Sequence, residues 1–167
     1  MEIRPQLQGL RLAFIGDGNN VARSLALAVA SVGSRFICAS PKGYELDEQT
    51  VITACNRSPK KDQEQSVVVV TDVAQAVQGA DVVYTDVWTS MGDESEIEKR
   101  RKAFAGYTVD NNVMSMAKSD AIFMHDMPAH YGEEVSPGML DHRQSVVFDQ
   151  AENRLYAQIA LLELLLR

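Results

Sequence analysis

The sequence predicts an α/β fold: a doubly wound, Rossmann-like parallel sheet of about five strands with helices on both faces. Three observations carry that expectation. Short apolar runs alternate with helical patterns along the whole chain. The runs are almost continuously apolar, as strands buried on both faces must be. The chain has 167 residues, 46% hydrophobic and 23% charged, which is ordinary globular composition and enough for one domain with a real core.

The elements follow in order. Residues 10–15 (LRLAFI) read as a buried strand, and residues 20–32 as a buried helix closed by Gly33. Residues 35–39 (RFICA) form a second strand, followed by a turn over 40–43 and a helix over 47–55 with Asp47 as N-cap. Residues 57–65 are polar and read as a loop. The run SVVVV at 66–70 is a strongly β-branched third strand. Asp72 caps a short helix ending at Gly79, and residues 80–85 (ADVVYT) make the fourth strand. A charged helix is expected over 94–104, a short one over 111–117, and a fifth strand over 121–124 (AIFM). Residues 144–148 are read as a sixth extended piece, and residues 153–166 as the last helix.

Composition excludes several functions. Sixteen basic against 23 acidic residues give a net charge of −7, a poor basis for binding nucleic acid or an anionic membrane. Cys38 and Cys55 lie far apart, so neither a disulfide framework nor a cysteine-rich zinc site is expected. Both read as buried, reduced packing residues of a cytoplasmic protein. No apolar stretch approaches a membrane span, and the N-terminal segment has no secretory pattern. The basic run Lys99-Arg100-Arg101-Lys102 follows Glu94, Glu96 and Glu98, and pairs such as Glu96 with Arg100 describe a solvated, salt-bridged face.

In doubly wound sheets ligands bind beyond the carboxyl ends of the strands, which directs attention to the strand-end loops. The first, Gly16-Asp17-Gly18-Asn19-Asn20, lies where a dinucleotide fingerprint would. Val21 occupies the third glycine position, and no acid closes the second strand, so a nicotinamide cofactor is not expected. The two asparagines at a helix N-terminus could hold a carboxylate. In the loop from Asp86 to Gly92 (DVWTSMG), Asp86 either points into the crevice or merely caps its loop. In the loop after the fifth strand, His125, Asp126 and His130 match no zinc spacing, so no metal is expected, and no nucleophile elbow is present. Pro128 is placed to fix an unusual loop, for which a cis peptide is one route.

FIGDGNN at 14–20, DVWTSMG at 86–92, His125-x-x-Pro128 and AENR at 151–154, in that order and spacing, resemble the C-terminal, amino-acid-binding domain of the ornithine carbamoyltransferases, over residues 7–167. The resemblance implies a transferase of arginine biosynthesis that passes the carbamoyl group of carbamoyl phosphate to the side-chain amine of ornithine, without metal or organic cofactor. It implies that Asn20 binds the α-carboxylate side of the amino acid and Asp86 faces its amino groups. Ser90 and Met91 would complete the clamp. His125 and Arg154 would approach the carbonyl oxygen of carbamoyl phosphate, and the Met127 carbonyl its amide.

Two departures stand out. The Ser-Thr-Arg-Thr-Arg phosphate motif of the family's N-terminal domain does not occur in these residues, so the chain by itself is expected to lack turnover. Asp126 stands where the family has cysteine. Asp126 and Asp86 would then flank the reacting amine, or in the empty site share a proton, one carboxyl having a raised pKa; the other reading is that Asp126 turns away and hydrogen-bonds its own loop. A noncatalytic amino-acid binder, or a diverged paralogue with an altered amine substrate, is the alternative. The last helix, apolar on nearly all sides from Leu155 to Leu166, expects burial on more than one face, hence a neighbouring domain or self-association into a homo-oligomer.

Overall fold

The computed structural model describes residues 6–59, 65–89 and 94–167. Five parallel strands are present: β1 (Arg11–Ile15), β2 (Arg35–Ala39), β3 (Val67–Val70), β4 (Val82–Thr85) and β5 (Ile122–His125). Their order across the sheet is β3-β2-β1-β4-β5, so the chain winds outward from β1 in both directions. The helices are α1 (Asn20–Ser31), α2 (Glu48–Arg57), α3 (Val73–Val77), α4 (Ile97–Ala103), α5 (Asn111–Met116) and α6 (Val147–Leu165).

Strand alternation divides the core into two layers. Leu12, Phe14, Phe36, Cys38 and Tyr84 face α1 and α2. Ala22, Ala26 and Ala30 of α1 are fully buried, and their four-residue spacing gives the helix a smooth side that lies close on the sheet. Ala13, Ile15, Ile37, Val83 and Phe123 face the opposite layer, built from Ala76 and Val77 of α3 and Val113 and Met114 of α5.

The helix starts are set by short polar side chains. Asp47 Oδ1 accepts from Thr50 N (2.9 Å), Asp72 Oδ1 from Ala74 N (2.9 Å) and Asp110 Oδ1 from Val113 N (2.8 Å). Gly33 closes α1 at φ 75, the left-handed conformation that a Cβ disfavours.

Several expectations are corrected. Residues 144–148 are not a sixth strand. Their strand-type pairing is limited, among the described residues, to an isolated bridge from Ser145 to Phe123, and Val147 already begins α6. The last helix thus starts six residues before Asn153. The charged helix is shorter than expected, with a tight 3-10 turn over Glu94–Glu96 before α4. Cys38 is buried, and burial pushes its thiol up to about 12, whereas Cys55 on α2 is only half-buried.

The solvated face assigned to the basic run holds for Lys99 and Arg101 but not for Arg100. Arg100 does pair with Glu96 (3.5 Å), yet it is 8% exposed and is held chiefly by Asp17 and the Trp88 carbonyl.

α6 enters the domain at Val147, which is fully buried, and every residue from 151 to 167 is exposed. Leu155 and Leu162 are bare, at 61% and 55% exposure. Where α6 leaves the sheet, Leu10, Leu12, Val29, Val82, Ile122 and Met124 line an apolar groove of about 360 Å³. Among the described residues no helix is long and apolar enough to cross a membrane.

Candidate active site

The strand register builds the site. Ile15 is level with Thr85, and Thr85 with His125, so Gly16, Asp86 and Asp126 leave three adjacent strands at the same height. Neighbouring strands lie about 4.8 Å apart, so the two acids face one crevice. That crevice is the switch point, where the chain turns outward from β1 to β2 on one side and β4 lies on the other. Thr85 Oγ1 ties the two central strands together there by donating to Ile15 O (2.6 Å).

The β1–α1 turn is arranged by Asn19. Its Oδ1 accepts from the Val21 and Ala22 amides (3.0 and 3.1 Å), capping α1, and its Nδ2 donates to Asp86 Oδ2 (2.7 Å). Asp86 Oδ1 accepts from its own loop at Val87 N (2.7 Å), and the residue is 7% exposed. Both readings of Asp86 are thus realised in one side chain: it braces its loop and it fronts the crevice. Asn20, the first residue of α1, is exposed.

Gly18 answers the dinucleotide question physically. A Cβ there would meet Leu46 N at 2.4 Å and the Glu45 carbonyl at 2.5 Å, and Gly18 N donates to Tyr44 O (2.8 Å). The chain's own backbone occupies the space over the glycine that a pyrophosphate needs.

At the end of β5, His125 is fully buried and both its ring nitrogens are engaged. Nδ1 accepts from Met127 N (2.8 Å), which puts the ring proton on Nε2, 3.3 Å from Glu134 Oε1. The His125 amide donates to Gln150 Oε1 (3.0 Å), and Gln150 Nε2 donates to Tyr84 Oη (2.9 Å). Met127 sits at φ 61 and its peptide bond to Pro128 is cis. The left-handed Met127 turns the loop back over His125.

Asp126 lies between these parts. Burial, then the neighbouring Asp86 carboxyl, pushes its pKa up to about 6. Its Oδ1 is buried without a hydrogen-bond partner, 3.8 Å from His125 Nδ1. Burial, then Asp126, also raises the Tyr84 phenol, while Gln150 and Arg154 act in the opposite direction.

Of the residues singled out from sequence, Asp86 and Asp126 meet at this crevice, and Asn20 is exposed at the start of α1. His125 does not open onto it as expected: the ring is fully buried, with Met127 N on one nitrogen and Glu134 on the other. Arg154 is one turn beyond Gln150 on the exposed part of α6. Ser90 and Met91 lie outside the described residues. Sequence reasoning missed three supports, Glu134, Gln150 and the buried role of Arg100, whereas Asn19 was one of the two asparagines read as able to hold a carboxylate, and the carboxylate it holds is Asp86. The buried role of Arg100 had no signal, because its partners are distant in the chain.

Arg100 binds three segments at once. Its Nη1 donates to Asp17 Oδ2 (2.5 Å) and to Trp88 O (2.9 Å), and its guanidinium lies 5.0 Å over the Tyr44 ring. Trp88 in turn stacks on Phe104 with ring centroids 5.6 Å apart. The loops after β1 and β4 are therefore clamped from behind by α4.

The fold and site define a doubly wound domain whose switch-point crevice brings together two carboxyl groups, Asp86 and Asp126, in front of a buried imidazole. Residues 8–165 match the Asp/Orn binding domain of the aspartate/ornithine carbamoyltransferases. The chain is 52% identical over 160 residues to the ornithine carbamoyltransferase of Symbiobacterium thermophilum, covering 96% of this chain and 51% of that protein. The solved Pyrococcus furiosus ornithine carbamoyltransferase superposes with a TM-score of 0.86 at 45% identity, over 94% of this chain and 50% of that one. A more distant structure, an N-acetyl-L-ornithine transcarbamylase mutant complexed with PALAO, reaches a TM-score of 0.78 at 25% identity, over 95% of this chain and 50% of that one. The chain belongs to the aspartate/ornithine carbamoyltransferase family, and it spans about half the length of the relatives it matches.

Proposed function

We propose that these residues are the amine-binding half of an ornithine carbamoyltransferase. The observation that carries this reading is the buried Asp86 carboxyl, braced by Asn19 at the switch point and facing the loop that begins at His125. A buried acid at the mouth of a doubly wound sheet suits a cationic amine. In this reading Asn20 binds the α-carboxylate side of the amino acid, Asp86 faces its amino groups, and Ser90 and Met91 complete the clamp.

The side-chain amine, once neutral, attacks the carbamoyl carbon of carbamoyl phosphate. The carbon–oxygen bond to phosphate breaks, the amine gives up a proton, and citrulline and inorganic phosphate result. Arg154 and the Met127 carbonyl meet the carbamoyl group, and His125, buried with both ring nitrogens engaged, acts by positioning the loop that carries Met127. Most of the rate gain comes from holding the two reactants together and stabilising the oxyanion. Carbamoyl phosphate is held by a second domain, and the bare apolar face of α6 supports packing against it. The 167 residues alone bind amine without turnover, and they self-associate through that face. The buried, free Cys38 suits a cytoplasmic setting.

Asp126 supports a second reading, a diverged member with weakened ornithine turnover or another amine substrate. Two facing carboxyls favour the ammonium form, so they hold a cation well and oppose the neutral amine that attacks. One experiment separates these readings. The chain is titrated with ornithine, then joined to a family N-terminal domain and assayed for citrulline with Asp126 and with Asp126→Cys. Saturable binding and turnover in the joined protein support the first reading. Turnover that rises on Asp126→Cys supports the second. No binding of ornithine or any related diamine overturns both.

A further inference from the structure

A second cluster of ligand-type side chains lies behind His125. The loop after β5 folds back so that His130, Glu133 and Glu134 each bring one donor atom within 4.8 Å of the others. Glu134 is fully buried. Its Oε1 serves twice, accepting from the His130 amide (2.5 Å) and facing His125 Nε2 (3.3 Å). Its Oε2 is buried and accepts no hydrogen bond, and His130 Nδ1 stands 3.9 Å away. A buried carboxyl oxygen left bare is costly, and it points to a ligand. We propose that His130, Glu133 and Glu134 form a site for a divalent cation of the zinc–cobalt class, with water completing the coordination.

The donor set selects the class. Calcium and magnesium take oxygen ligands, in larger numbers. One imidazole nitrogen and two carboxyl oxygens suit zinc, which accepts three protein ligands and an open position for water. The donors must close by roughly 1 Å or more to reach bonds near 2.1 Å. The fixed member is Glu134, and the adaptable ones are the more exposed His130 and Glu133, the latter following Gly132 at φ 87.

The charges around the cluster also matter. Arg101 donates to Glu133 Oε1 through Nε (3.0 Å) and Nη2 (2.8 Å), and its Nη1 donates to Glu98 (3.1 Å). Arg101 is half-exposed and already has Glu98 as a second partner, so it can yield Glu133 to a cation. It is a competitor of the metal. This site does not depend on the assigned reaction, and its binding can be read without activity.

The test is calorimetric titration of Zn²⁺ into the metal-stripped 167-residue chain, with the visible spectrum of added Co²⁺ as a coordination signature. One Zn²⁺ per chain is expected. His130→Asn at the exposed position and Glu133→Gln at the half-buried one both preserve the fold by circular dichroism and weaken binding about tenfold or more. Arg101→Met tightens binding, and His142→Asn, a control away from the cluster, leaves it unchanged. Absence of stoichiometric binding overturns the proposal. So does binding that survives His130→Asn, the mark of an adventitious ion only, or binding that Arg101→Met fails to tighten.

Discussion

Arg100→Met tests the architecture of the site most directly. The methionine keeps much of the buried length and removes the guanidinium. The side chains of Arg100 and Asp17 are only 10% and 14% exposed, and their contact is 2.5 Å. Removing one partner of such a pair leaves a desolvated charge, at a cost of about 3–5 kcal/mol. A solvated pair one helical turn apart contributes only about 0.3–0.5 kcal/mol. The substitution also strips a donor from the Trp88 carbonyl. A loss of about 3 kcal/mol is a large part of a domain's roughly 5–15 kcal/mol and lowers Tm by about 6–12 °C at this size. The assay is urea unfolding followed by tryptophan fluorescence, since Trp88 is the only tryptophan and sits beside the clamp. Asp17→Asn and the double variant complete a cycle, in which a coupling of about 1–3 kcal/mol is expected. Glu96→Gln, which removes the solvated partner of the same arginine, serves as reference and is expected to cost far less. If Arg100→Met costs no more than Glu96→Gln, Arg100 is an ordinary surface cation and the clamp is wrong.

Two further outcomes follow from the same geometry. The folded-state pKa of Asp126 is raised from 3.8 to about 6, so the folded state holds this proton more tightly than the unfolded chain. The group therefore destabilises the fold as pH rises through 6 and not below 4. The full shift corresponds to about 3 kcal/mol, and partial exposure reduces it to about 1 kcal/mol. Asp126→Asn should thus stabilise by about 1 kcal/mol near pH 8 and not near pH 4, and a gain equal at both pH values would sink this account. Gly18→Ala drives a methyl into the Glu45–Leu46 backbone at 2.4–2.5 Å, and overpacking against backbone costs about 1–3 kcal/mol or more. A Tm unchanged by Gly18→Ala would mean that the two loops are free to separate.

The sequence by itself determined the class of fold and which strand-end loops meet at the switch point. The aliphatic and β-branched runs at 11–15, 35–39 and 67–70 are strands, as read, although the edge strand at 67–70 is only half-buried beyond Val67, and Asp47 and Asp72 announce helix starts through short-range bonds to their own next turn. Such local signals are legible because the partners lie within a few residues. The motif loops were legible for the same reason: each is a short stretch that begins where a strand ends. What only the tertiary structure decided is which of these residues meet. The level register of Ile15, Thr85 and His125 brings Asp86 to Asp126, 40 positions apart in the chain, and Asn19 to Asp86, 67 positions apart. Arg100 reads as a solvated cation on its own helix, and it is buried because Asp17, 83 residues away, arrives at the same point. Glu134 looks like one of two equivalent acids beside Glu133, and folding buries one against His125 while the other remains with Arg101. The physical reason is common to all three. A side chain's charge, exposure and proton affinity depend on what is packed around it, and a parallel sheet draws that packing from strands separated by whole crossover segments.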